Sequence, residues 1–155
     1  MRPSPRSRCL ISSKGSMART RVETRARARA LQALYAWDMR GTDNLEKVAT
    51  QVWDDMMITP EERQVAGPIV RLVANKQAEI DRQLVDVTTN WRLERIGAVE
   101  RCVLRMAAAE LTIGVTPPKV IIQESVTLAE RYGSAASAKF VNGVLDALAR
   151  RMGRM

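Results

Sequence analysis

An all-α fold, a compact bundle of about six to seven helices, is what this 155-residue sequence predicts. Three observations carry it. Good helix formers dominate while aromatic residues make up only 4% of the chain. Apolar residues recur three and four positions apart over most of its length, and no alternating strand pattern interrupts them. Glycine, proline and small polar cap residues fall between these periodic runs, at intervals suited to helices. With 46% apolar and 27% charged residues the chain is balanced for one folded domain.

The first helix is predicted from about Thr20 to Arg40, closed by Gly41. At about 100° per residue, Ala26, Ala30, Ala33, Leu34 and Trp37 form a core stripe. Arg21, Arg25 and Arg29 form a second stripe beside it, and Arg27 falls on a flank near Leu31. Thr42 or Asp43 caps a second helix to about Met57, with Leu45, Val48 and Val52 at helical spacing. Thr59-Pro60-Glu61-Glu62 then combines a cap, a first-turn proline and acids at the positive end of the dipole. The third helix reaches Val87, with a kink or restart expected at Gly67-Pro68, where a hydrogen bond is lost. A short turn over Leu93–Ile96 precedes a strongly apolar helix from Val99 to Ile113, ended at Gly114 and therefore expected to be buried. Thr116-Pro117-Pro118 starts the next helix, which stops at Gly133; Ser134 or Ser137 caps the last, which carries Phe140, Val141, Val144, Leu145 and Leu148.

The net charge of +8 sits at one end. Residues 1–40 hold ten basic residues against Glu23 and Asp38, so the rest of the chain is neutral. A basic end of this kind is the footprint of a polyanion site, or else a merely solvated terminus. Residues 1–18, rich in Arg, Ser and Pro, are read as a disordered extension outside the folded unit, which spans 19–152. They lack the apolar core of a secretory signal, and a tail and a misplaced start ahead of Met17 would look alike. No run approaches the roughly 20 apolar residues of a membrane span, and two unbridged cysteines, Cys9 and Cys102, suit a reducing, cytoplasmic setting.

Chemistry is sparse. The chain has no histidine, no metal-ligand spacing, no phosphate-binding glycine loop and no nucleophile motif, so neither an enzyme nor a cofactor is expected. The arginine helix remains. Guanidinium groups bind phosphate bidentately and stack on unpaired bases, and Tyr35, about 40° from Arg21 around the helix, offers a stacking face. Asn142-Gly143 is costly inside a helix, which points either to close helix packing or to an amide left free for a ligand.

Several blocks resemble the NusB family. Ala28-Arg29-Ala30-Leu31-Gln32-Ala33-Leu34-Tyr35-Ala36-Trp37 resembles that family's opening helix, and Val99-Glu100-Arg101-Cys102-Val103-Leu104-Arg105-Met106-Ala107 its central one. Pro118-Lys119-Val120-Ile121-Ile122-Gln123-Glu124 and Ala138-Lys139-Phe140-Val141-Asn142-Gly143-Val144-Leu145-Asp146 resemble its two C-terminal signatures. The resemblance implies two helical sub-bundles and a transcription antitermination factor for ribosomal RNA synthesis. Such a factor binds boxA RNA of ribosomal RNA leaders, with the ribosomal protein NusE, in the transcription elongation complex. It maps an arginine motif onto Arg25 and Arg27, with Arg21 and Arg29 as additions, although Glu23 and Thr24 interrupt the basic run. It adds Tyr35, Lys139, Phe140 and Asn142 as RNA contacts and Glu100 as a contact to the protein partner. The alternative is a helical protein-interaction module with a non-specific basic tail.

Overall fold

Local capping chemistry fixes where three helices of this computed structural model begin. The structure describes residues 5–41, 43–88 and 92–155, with side chains from residue 21 onward. Its helices are α1 (Pro5–Arg40), α2 (Leu45–Met56), α3 (Pro60–Val87), α4 (Ala98–Ile113), α5 (Pro118–Tyr132) and α6 (Ala135–Arg151), with a 3-10 turn at Leu93–Arg95. No strand occurs among the described residues. Thr59 accepts from the Glu62 N–H at 3.1 Å to cap α3, and Ser134 accepts from the Ser137 N–H at 3.1 Å to cap α6. The cap of α2 is Asn44, which accepts from the Lys47 N–H at 3.0 Å; Asp43 is not the cap, and Thr42 lies outside the described residues. Gly41 and Gly114 close α1 and α4 at φ of +83° and +78°, a region that favours glycine.

Two boundaries differ from expectation. Helical backbone in α1 starts at Pro5, ahead of the Thr20 start that periodicity marks. In α3 the chain stays helical through Pro68 and departs from helical geometry at Lys76 instead (φ −125°, ψ 25°). The reason at Pro68 is its neighbour. Besides losing a hydrogen bond, a proline crowds the Cβ of the preceding residue, and Gly67 has none, so that part of the cost is absent here.

The core is built around α4. From Cys102 to Leu111 every residue of that largely apolar helix is buried, including Arg105 and Glu110, whose charges are paired. Helices α1, α2 and α3 pack among themselves, α4, α5 and α6 do the same, and α1 and α3 both lie against α4, giving two joined sub-bundles. Leu34, Leu84, Leu104, Leu145 and Leu148 are fully buried, each stabilising by about 1.5–3 kcal/mol relative to exposure. Trp37 packs half-buried on the core, donating its indole N–H to the Asp43 carbonyl at 2.9 Å.

Side-chain pairs give the helix directions. Arg27 of α1 reaches Glu110 late in α4, while Asp38 reaches Arg101 early in it, so the two helices run antiparallel. Ser137 at the start of α6 reaches Glu100 at the start of α4.

Candidate nucleic-acid interface

The arginines of α1 divide into three environments. Arg21 and Arg25 are exposed, and neither is held in a salt bridge among the described residues. Arg29 is partly covered, donating Nε to Glu62 at 2.8 Å and Nη1 to Gln32 at 3.3 Å. Burial raises the Glu62 pKa, but the Arg29 and Thr59 hydrogen bonds and the nearby charges of Arg29 and Arg25 outweigh it and leave the carboxyl below its usual range.

Arg27, expected as an RNA contact, lies in a different environment. It is only 1% exposed. Its Nε and Nη2 donate to the two oxygens of Glu110 at 2.6 and 2.9 Å, and Nη1 donates to Glu124 at 3.0 Å. Burial works against its charge, yet the Glu110 hydrogen bonds and the carboxylates of Glu110, Glu124 and Glu23 hold the guanidinium more firmly protonated than an ordinary arginine. Each of its three nitrogens donates to a carboxylate and the side chain is buried, so Arg27 ties α1 to α4 and α5. Its place on the flank of the helical wheel, away from the Arg21–Arg25–Arg29 stripe, was the signal for this difference.

Tyr35 is 41% exposed on the same helix, beyond the arginines. On α6, Lys139 and Asn142 are exposed and Gly143 lies beside them; a Cβ added there would meet nothing within 4 Å. Close helix packing therefore does not account for that glycine. Phe140 is half-buried against the core and lines a cleft of about 320 Å³ with Arg95, Gly97, Glu100 and Ser137. In that cleft Glu100 accepts a hydrogen bond from the Ser137 hydroxyl, a second demand on a residue expected only as a partner contact.

These residues do not converge on one pocket. Arg27 marks the level of Glu110 and the cleft marks that of Glu100, about 15 Å apart along α4 at 1.5 Å per residue. Arg21 and Arg25 lie towards one end, Lys139, Phe140 and Glu100 towards the other, and Tyr35 falls between along α1. A spread of this kind suits an extended polymer better than a small molecule. Sequence reasoning overlooked Arg95 on the cleft and the pairing of Arg131 with the half-exposed Tyr132 ring, 5.6 Å from its centroid. It also overlooked Asp38, Arg101 and Arg105; two arginines four apart in an otherwise apolar helix were the visible sign. Among the described residues no group of Cys, Asp or Glu is placed to hold a metal ion, and no helix is long and apolar enough to cross a membrane.

Comparison with known proteins identifies the family and the fold. The NusB family pattern matches residues 24–150. The chain is 43% identical over 133 residues to the transcription antitermination protein NusB of Anaeromyxobacter dehalogenans, covering 84% of this chain and 92% of that one. It is 44% identical over 130 residues to the NusB protein of Sorangium cellulosum, covering 83% and 92%. Among solved structures, NusB of T. maritima superposes with a TM-score of 0.77 at 31% identity, covering 83% of this chain and 90% of that one. A crystal structure of antitermination factors NusB and NusE in complex with double-stranded RNA gives 0.78 at 30% identity, covering 84% and 98%.

Proposed function

This chain belongs to the NusB family, and on that footing we propose that it is a transcription antitermination factor for ribosomal RNA synthesis. It binds single-stranded boxA-type RNA of ribosomal RNA leaders together with the ribosomal protein NusE, within the transcription elongation complex. It acts in the cytoplasm as an adaptor and not as a catalyst. The observation that supports this best is the exposed Arg21–Arg25 pair on a helix whose neighbouring Arg27 and Arg29 are held by carboxylates.

In this reading Arg21 and Arg25 neutralise phosphates, and Arg29 assists when Glu62 releases it. Tyr35 offers a ring for stacking, while Lys139, Asn142 and the Phe140 edge engage the strand at the far end. The Glu100 cleft faces the protein partner. In this reading the RNA-binding domain spans residues 19–152.

Titration of the protein with boxA RNA and with a scrambled RNA, each with and without NusE, tests the proposal. Preference for boxA that strengthens with NusE is the expected result. Equal binding of both RNAs, unaffected by NusE, would reduce the protein to a helical module with a basic surface.

A further inference from the structure

A network of charged side chains at the end of α1 reaches the wall of the Glu100 cleft. Asp38 accepts from Arg101 Nε at 3.0 Å and Nη2 at 2.5 Å, and from Arg105 Nη1 at 3.2 Å. Arg105 also forks onto Asp81 of α3 at 2.9 and 3.1 Å, and its guanidinium lies 5.3 Å over the Trp37 ring. Arg101 turns its remaining Nη1 donor outward, to the carbonyls of Leu93 at 3.3 Å and Ile96 at 2.8 Å. Those carbonyls belong to the 3-10 turn and its end, the segment that supplies Arg95, Ile96 and Gly97 to the cleft.

Two guanidiniums facing two carboxylates with little solvent access are a poor way to gain stability, since apolar residues of similar volume serve as well. What the ions supply is direction. A guanidinium offers donors in a fixed fork, so Arg101 can face the α1 carboxylate and the turn's carbonyls at once. Asp38 lies one turn beyond Tyr35, on the helix that carries the arginines.

We propose that Asp38 is a positioning residue, acting through Arg101 to set the 93–97 wall of the cleft according to the position of α1, so that RNA on α1 and a protein at the cleft affect each other's binding. The inference rests on the functional reading above. The link between the two sites is one chain of hydrogen bonds, from the Asp38 carboxylate through one guanidinium to two peptide carbonyls.

The experiment measures a coupling factor, the ratio of boxA RNA affinities with and without saturating NusE, which reciprocity requires to equal the RNA-induced gain in NusE affinity. A coupling factor in the usual 5- to 150-fold range should fall towards one in Asp38→Asn, with RNA affinity in the absence of NusE kept within about twofold. Arg101→Lys, which retains the charge but not the fork, should behave alike, and circular dichroism checks that each variant is folded. A measurement on the unaltered protein stands beside these: RNA alone should change amide hydrogen exchange over residues 93–97. Folded variants with undiminished coupling, or no exchange change on RNA binding, would overturn the inference while leaving RNA recognition intact. Absence of boxA preference or of any coupling in the unaltered protein would overturn both readings.

Discussion

Arg25 and Arg27 stand two positions apart on one helix, yet their replacement should register in different assays. Arg27→Ala leaves Glu110 and Glu124 facing each other without their cation, a loss of about 3–5 kcal/mol that chemical denaturation will read. Arg25→Ala, on the surface, should stay within about 0.5 kcal/mol in the same measurement but flatten the salt dependence of RNA binding by roughly 0.7 in slope. An unchanged slope would remove Arg25 from the RNA site. Cys102 gives a residue-scale probe of a different kind. Burial pushes its thiol up to about 12, so it is neutral and shielded in the folded protein. In a Cys9→Ser background, thiol labelling should proceed at the rate of global unfolding; labelling faster than unfolding would show that α4 opens locally. At this scale the sequence was only partly legible. The wheel separated Arg27 from the arginine stripe, but its partners lie 83 and 97 positions away, and no local pattern announces them.

Among the elements, starts and stops were the most readable features, because caps are local: Thr59, Ser134, Gly41 and Gly114 each do what their residue type favours. Lys76 was not readable; the bend in α3 falls at an exposed position with no proline or glycine to mark it. The two glycines of the C-terminal helical pair should respond oppositely to alanine. At Gly133 a Cβ would stand 2.7 Å from both the Ala129 carbonyl and the Ser137 hydroxyl. Gly133→Ala must therefore shift the α5–α6 corner, costing about 1–3 kcal/mol and drawing Ser137 away from Glu100. At Gly143 the space is open and the backbone helical, so Gly143→Ala should raise stability by about 1 kcal/mol. If an RNA strand lies against that surface, the same variant binds it less tightly while melting at a higher temperature. A rise in melting temperature with unchanged affinity would move the RNA off α6.

For the molecule as a whole, the bundle and its buried central helix followed from periodicity, whereas the distribution of candidate contacts over it did not, since that depends on how α1 and α6 flank α4. Acid stability is a property of this scale. Asp38 and Glu62 are pushed up by burial but held lower overall by their arginine partners, so both bind protons less readily folded than unfolded. Their contribution is present at neutral pH and fades as pH falls below the ordinary carboxyl values of about 4. Thermal melting of the unaltered protein should thus drop more steeply than that of Asp38→Asn over this interval, and parallel curves would show that Asp38 adds nothing. The antiparallel seating of α1 on α4 has a consequence for ligand length. With Arg21 and Arg25 towards one end of the bundle and Lys139 towards the other, on the order of 15 Å apart along α4, a short oligonucleotide would occupy only one set, while a longer one would anchor at the first and meet the second as a tethered ligand at high local concentration. Affinity should then climb in a step, by as much as ~10²–10⁴, as nucleotides are added one at a time. Such a step would make the protein a ruler, accepting a strand by its reach before it reads its bases.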